Sequence, residues 1–148
     1  MMSYKQKFVL TIQIIMKNSI PAILVTLLFL SGGSAFYGGV QMITHPDGSS
    51  LELPIQYLER TPFVDYLMPG ILLLGLIGIY ELSLAAIITT GTKRYAWPLL
   101  VQGIILCGWI AAQLMYHIPF SILHFVFMFL GLLFVFVGIN NLRTIPRP

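Results

Sequence analysis

Four long apolar segments dominate this 148-residue chain, and they lie at about 20–43, 67–90, 95–117 and 119–142. Each is long enough to cross a hydrocarbon core of ~30 Å as a helix, which takes about 20 apolar residues. Only 9% of the residues are charged, against about 25% in a soluble domain. Runs such as FVFMFLGLLFVFVG do not alternate as membrane strands do. The sequence therefore predicts an all-α membrane protein, with residues 1–148 in one integral membrane domain.

The positions of the basic residues predict the orientation of these helices, because Lys and Arg are enriched in cytoplasmic segments. Of the eight basic residues, only Arg60 falls between the first and second segments. The other seven precede the first segment, lie between the second and third, or follow the fourth: Lys5, Lys7, Lys17, Lys93, Arg94, Arg143 and Arg147. An even number of spans places these three regions on one side. We therefore expect a four-helix antiparallel bundle with both termini cytoplasmic and one structured outside loop at about 44–66.

Charge and cysteine content exclude several classes of function. The formal charge of +3 comes from residues that mark topology, so we expect no nucleic-acid partner. Cys107 is the only cysteine, which excludes an intramolecular disulfide and a CxxC site for redox chemistry or zinc. The sequence shows no Ser–His–Asp set and no Gly-rich phosphate loop. We therefore predict no catalytic residue, no cofactor-binding or metal site and no enzyme.

Two interpretations of the start of the chain stay open. Lysines, an apolar run and the small residues GSA before Phe36 resemble a cleaved signal peptide, whose removal would leave three spans in the same orientation. Apolar character resumes at 40–43, which favours an uncleaved first span. Residues 6–16 are then expected to form an interfacial helix, with Phe8 facing the acyl chains.

Small residues recur at helical spacing in all four segments. Membrane helices associate by close backbone contact at such positions. The rows are Ser34/Gly38, Ala35/Gly39, Gly70/Gly75/Gly78, Gly103/Cys107/Ala111, Gly108/Ala112 and Gly131/Gly138. We therefore expect each span to pack against a neighbour, and the short connections predict that spans two and three, and three and four, are adjacent.

The outside loop holds four of the five acidic residues, and each has a local explanation. HPDG predicts a turn in which Gly48 takes a positive φ. ELPIQYLER predicts a short amphipathic helix from Pro54, and TPFVDY predicts a helix start with Thr61 as N-cap and Pro62 as the first residue. Asp65 then lies near the positive end of the helix dipole. A structural role is favoured, and the alternative is a lid over an outer cavity or a docking surface.

The sequence of the same loop resembles that of a group of known proteins. The segment PDGSSLELP…TPFVDYLMPG follows a GG pair near the end of the first span, and residues 32–90 resemble a group of small four-span bacterial inner-membrane proteins with no assigned activity. The resemblance implies a multi-pass protein of the bacterial inner membrane and carries over no catalytic residue. The usual pattern has a glycine before LP, where this chain has Glu52.

Glu81 is the strongest candidate for chemistry, because it lies ~14 Å from the inner end of the second span at 1.5 Å per residue. An ionised carboxylate at that depth costs at least ~2.5–3.5 kcal/mol, so we expect Glu81 to be paired or protonated. The small residues Gly78 and Ala85 share its face and predict that it points inward. Gln102 and Thr26 are the expected partners at similar depth. The group is either a proton or cation site or a hydrogen-bonded fastening of the bundle.

A second polar group is expected near the outer surface. Gln113 and His124 are nearly equidistant from the turn at 118–119, and Tyr116 lies above them. Packing of the third span against the fourth would bring them level, as a ligand pocket or an interhelical hydrogen bond. A haem or metal role for His124 is disfavoured, because spans one to three contain no second histidine.

These observations support two hypotheses about function. The first is a non-catalytic membrane bundle that acts as an accessory or assembly subunit, with the lipid bilayer and a membrane-protein partner or a second copy as its contacts. The second is a small proton-coupled transporter or channel that uses Glu81. A membrane enzyme lacks the necessary residues.

Overall fold

The computed structural model describes residues 3–92 and 94–144, and for 9–19 and 144 the backbone only. The described part is all-helical and contains no strand. Four of its helical stretches are long and apolar enough to cross a membrane, and we call them spans 1 to 4: Ile20–Thr44, Leu67–Thr89, Ala96–Met115 and Ile122–Arg143. Their bounds differ from the predicted ones by a few residues.

Span 1 is the second part of one long helix, Tyr4–Thr44. The helix begins with a capping box, in which the Gln6 side chain accepts a hydrogen bond from the Ser3 backbone N–H at 3.1 Å. The expected interfacial helix at 6–16 is therefore not a separate element but continues into span 1. Pro21 lies inside the helix, at the point where span 1 begins.

Span 2 changes its helical type along its length. It is α-helical at Leu67–Leu72, π-helical at Leu73–Ile79 and α-helical again at Tyr80–Thr89. A π-helical turn contains more residues than an α-helical turn, so it rotates the residues that follow around the helix axis. The α-helix that carries Glu81 begins directly after this segment. Span 3 and the helix of span 4, Ile122–Thr144, are α-helical throughout.

Glycines bring spans 1 and 2 into backbone contact. A Cβ atom added to Gly39 would lie 2.7 Å from the Cβ atom of Leu74, and one added to Gly78 would lie 2.8 Å from the backbone nitrogen of Phe36. Real side chains do not approach so closely, so only glycine fits at these two positions. Ala35 shares this face and is buried. The Ala35/Gly39 row therefore lies against span 2.

Spans 3 and 4 are held in the same way. A Cβ atom added to Gly103 would lie 2.6 Å from the carbonyl oxygen of Gly131, and one added to Gly138 would lie 2.8 Å from the Cβ atom of Leu100. By contrast, Gly108 is exposed and has open space around it. The expected Gly108/Ala112 row is exposed and therefore does not pack against another helix in the described part of the chain.

Large side chains fill the space between the two close-packed pairs. Leu28, Leu99 and Phe134 are all 0% exposed, and together with residues of span 2 they form one continuous core. The Tyr80 hydroxyl group adds a polar contact here and donates to the Pro98 carbonyl oxygen at 3.2 Å. The chain thus consists of two tight helix pairs, spans 1–2 and spans 3–4, joined by a layer of bulky residues.

The outward faces carry large apolar side chains. In span 4, Phe125, Phe129 and Phe136 are about 60% exposed. In water, this much exposed apolar surface would be unfavourable. In a membrane it is not, because lipid tails are as apolar as the side chains themselves. The pattern agrees with four spans in a membrane.

The connection between spans 1 and 2 differs from its predicted elements. Gly48 has φ +82°, as the HPDG turn requires. Residues 54–58 form only a short 3₁₀ turn, Ile55–Leu58. The predicted helix start at Thr61 is wrong: span 2 begins at Leu67, and Thr61 Oγ1 accepts the Phe63 backbone N–H at 3.1 Å in a local turn. Asp65 instead accepts the Leu67 backbone N–H at 2.9 Å.

Candidate functional site

Glu81 lies at the centre of a polar cluster that joins three spans. Its side chain is 0% exposed. Oε1 accepts a hydrogen bond from Gln102 Nε2 of span 3 at 2.8 Å, and Oε2 is hydrogen-bonded to Ser31 Oγ of span 1. Gln102 is 0% exposed and Ser31 is 4% exposed. We call these three residues the Glu81 cluster.

The close approach of spans 1 and 2 sets the position of the carboxyl group. A Cβ atom added to Gly32 would lie 2.8 Å from the Cβ atom of Glu81. Because Gly32 has no side chain, the Glu81 stem lies directly against the span 1 backbone, and its carboxyl group reaches the adjacent Ser31. Gly32 is thus a positioning residue for the cluster.

Each member of the Glu81 cluster has a definite hydrogen-bonding role. Ser31 Oγ also lies 2.8 Å from the Leu27 carbonyl oxygen, one helical turn earlier, so its one hydrogen has two possible acceptors. Gln102 uses its amide nitrogen for Glu81, and its Oε1 atom is buried without a hydrogen-bond partner in the described part of the chain. Buried polar atoms are normally paired, so this amide oxygen is an acceptor at which a donor would be stabilised.

The structure brings together Glu81 and Gln102 but not Thr26. Thr26 is exposed, and its hydroxyl group donates to the Ala22 carbonyl oxygen at 3.0 Å within its own helix. The expectation that Thr26 is a partner of Glu81 is therefore wrong, and Ser31 takes that role. Ser31 lies four residues before Ala35 and is therefore on the same helix face. The Ala35/Gly39 row that faces span 2 is thus the sequence signal that could have identified Ser31.

The predicted outer group does not form one connected site in the described residues. Tyr116 is exposed, Gln113 is half-buried, and no hydrogen bond joins either of them to His124. Gly131 contacts Cys107, and the same register places His124 close to the level of Gln113. The structure is thus compatible with Gln113 and His124 lying at a similar depth, but it contains no hydrogen bond between these two side chains.

His124 instead stabilises the start of span 4. Its Nδ1 atom accepts the Ser121 backbone N–H at 3.1 Å, which satisfies a free donor at the helix N-terminus. Its ring stacks on Phe120, with centroids 5.7 Å apart. His124 is 7% exposed, and its Nε2 atom has no hydrogen-bond partner in the described part of the chain. These contacts give the histidine a capping role.

No group of three His, Cys, Asp or Glu side chains that could hold a metal ion occurs in the residues that the structure describes. Comparison with known proteins gives no further indication, because no protein-family model, no curated protein and no solved structure matches this chain. The Glu81 cluster is therefore the candidate functional site on its geometry alone.

Proposed function

We propose that this protein is a non-catalytic membrane bundle that acts as an accessory or assembly subunit. The observation that supports this function best is the use of Glu81, the only acidic residue in the four spans. Its carboxyl group is fully buried, and both oxygens bond to side chains of neighbouring spans. The polar chemistry of the interior thus fastens helices together and leaves the outer surfaces for contacts with lipid and partners.

The proposal includes a specific arrangement in the membrane. We place the protein in a bacterial inner membrane as an antiparallel four-helix bundle with both ends in the cytoplasm, which agrees with the resemblance of residues 32–90. The basic residues that flank the spans support this orientation. The connection between spans 1 and 2 then faces outward, where it is available to a membrane-protein partner or a second copy.

Crosslinking from this connection tests the subunit function. Val64 is 92% exposed and Leu58 is 5% exposed, so a photoreactive amino acid at these two positions gives a matched pair. We expect the probe at Val64 to trap a reproducible protein partner in intact membranes and the probe at Leu58 to trap none. Failure of the Val64 probe to trap any protein would contradict the proposal.

The alternative is a small proton-coupled transporter or channel, and one observation favours it. Ionisable residues inside membranes commonly mark proton or ion pathways. Here the buried carboxyl group is bonded to Gln102, whose amide oxygen has no partner in the described part of the chain. We expect a transporter reconstituted in vesicles to take up or release protons and Glu81→Gln to lose this exchange. A folded Glu81→Gln variant that titrates like the original protein would exclude the alternative.

A further inference from the structure

The hydrogen count at Ser31 links the direction of its hydroxyl hydrogen to the protonation state of Glu81. Ser31 Oγ lies within hydrogen-bonding distance of two acceptors, the Leu27 carbonyl oxygen and Glu81 Oε2. A hydroxyl group has one hydrogen to donate and lone pairs with which to accept. When the hydrogen of Ser31 points to Leu27, the contact with Glu81 is a hydrogen bond only if the carboxyl group carries a proton.

We propose that the Glu81 cluster is a binding site for one exchangeable proton, held on Glu81 Oε2 and donated to Ser31 Oγ. In this state three hydrogens of the cluster have an acceptor: the carboxyl proton bonds to Ser31, the Ser31 hydroxyl hydrogen to Leu27, and one Gln102 amide hydrogen to Glu81 Oε1. The proposal deepens the transporter alternative by naming the atoms that hold its proton, and its biological use rests on that alternative.

The same atoms accommodate the ionised state. When the proton leaves Glu81 Oε2 for a water molecule, the O–H bond of the carboxyl group breaks, its electron pair stays on the carboxylate, and the water becomes hydronium. The Ser31 hydroxyl hydrogen then turns from Leu27 to Glu81, while Gln102 Nε2 keeps its bond to Oε1. Apart from the transferred proton, only the rotation of one hydroxyl group separates the two states, so Ser31 is a positioning residue for the proton.

Gln102 supplies a place for the water that carries the proton. Its amide nitrogen bonds to Glu81, and its amide oxygen is buried, accepts hydrogen bonds and has no partner among the described residues. A water molecule that donates to this oxygen is therefore held by the same amide group that holds the carboxyl group.

Among the described residues, no charged side chain bonds to the Glu81 carboxyl group. The described contacts of the Glu81 carboxyl group are Ser31 and Gln102, neither of which ionises. Other titratable side chains lie on the four spans, but none of them bonds to this carboxyl group in the described part of the chain: Tyr37 of span 1, Tyr80 of span 2, Cys107 of span 3, and His124 and Arg143 of span 4.

Infrared spectroscopy of the protein in lipid vesicles tests this proposal without removing Glu81. The chain contains three glutamates, and Glu52 and Glu59 are exposed loop residues. A Glu52→Gln, Glu59→Gln variant with ¹³C-labelled glutamate therefore reports on Glu81 alone. We expect a labelled carboxylic-acid band at neutral pH, which shifts in D₂O as the proton exchanges and is replaced by carboxylate bands at alkaline pH.

Ser31→Ala and Ser34→Ala form the matched pair for the role of the hydroxyl group. Both serines bond to the carbonyl oxygen four residues earlier, but only Ser31 contacts Glu81. We expect Ser31→Ala to shift the carboxylic-acid band and Ser34→Ala to leave it in place.

Three results would overturn the proposal: carboxylate bands alone at neutral pH, a carboxylic-acid band that does not respond to D₂O, or equal spectra for the two serine variants. Proton flux measured on the same vesicles separates the site from the function. An exchangeable proton without coupled flux supports the proton site and contradicts the transporter.

Discussion

Among the described residues, two that are not glycine have a positive φ, and both lie outside the spans. Glu52 has φ +53° and His117 has φ +59°, the left-handed conformation that glycine adopts without cost. Glu52 lies directly before the LP pair, at the end of the short 3₁₀ turn Ser49–Leu51. Glu52 is thus the residue of the connection whose backbone conformation is unfavourable for its side chain.

Replacing Glu52 with glycine is expected to stabilise the protein by about 0.5–1 kcal/mol. The left-handed conformation costs a residue with a side chain ~1–2 kcal/mol, and the greater freedom of glycine in the unfolded chain offsets part of this gain. Thermal unfolding in detergent measures the change. Glu59→Gly is the control, because Glu59 has a helical backbone conformation and its replacement should destabilise or have no effect. A lower stability of Glu52→Gly would contradict the assigned strain.

The turn at Asp47 should depend on pH. Hydrogen bonds from the Ser49 side chain and backbone hold the pKa of Asp47 below its ordinary value of 3.8. A depressed pKa stabilises the turn above the unfolded value, and this contribution is lost as the pH falls through the folded pKa. We therefore expect exchange of the Ser49 amide hydrogen to be protected at pH 5 and to lose protection below the folded pKa of Asp47, corrected for intrinsic exchange. Asp47→Asn should show no such step.

At the scale of elements, glycine contacts decide how the spans pair. Gly103 and Gly108 lie on the same span, but only Gly103 lies against span 4. We expect Gly103→Ala to destabilise the protein by about 1–3 kcal/mol through overpacking, whereas Gly108→Ala should be neutral or stabilise by up to about 1 kcal/mol through helix propensity. Denaturation in detergent measures both variants. Equal stabilities would contradict the assignment of the span 3–4 interface.

The Glu81 cluster should contribute to stability across three spans. Glu81→Ala removes two interhelical hydrogen bonds, each worth about 0.6–2 kcal/mol, and leaves a buried cavity beside Gln102. We expect a loss of about 2–4 kcal/mol, near the range for large-to-small core substitutions, and a much smaller loss for Thr26→Ala, because Thr26 is exposed. Unfolding by denaturant in mixed micelles measures both. A Glu81→Ala variant as stable as the original would contradict the fastening role.

The sequence predicts the four spans and the inward direction of Glu81 because both follow from elementary transfer energies. Apolar length defines a span, and a carboxyl group in lipid must turn toward other helices. The sequence predicts Thr26 and not Ser31 as the partner of Glu81, because depth alone selects a level in the membrane but not a helix face. The π-helical segment at Leu73–Ile79 could not be predicted, because its residues are all apolar or glycine and do not distinguish a π-helix from an α-helix. The prediction of a helix start at Thr61 is wrong because a Thr–Pro pair is also compatible with a local turn, which is what the structure contains.

At the scale of the whole molecule, two tight helix pairs meet at a layer of bulky side chains and one polar cluster. Glycine gives the pairs backbone contact, whereas the interface between spans 2 and 3 depends on side chains such as Leu99 and on the Glu81–Gln102 bond. The interface between the pairs is therefore the part of the molecule in which a change at one residue alters the packing of both halves.

The orientation of the spans is the central claim, since both proposed functions place the Glu81 cluster inside the membrane and the first connection outside. Lys93, one of the residues that predict the orientation, lies outside the described residues. Cysteine substitutions at Ser50 and Thr92, in a Cys107→Ala background, report on the two sides. A membrane-impermeant maleimide should modify Ser50→Cys in intact cells and Thr92→Cys only after the membrane is opened. Modification of Thr92→Cys from outside, or a protein that stays in solution without detergent, would contradict the account.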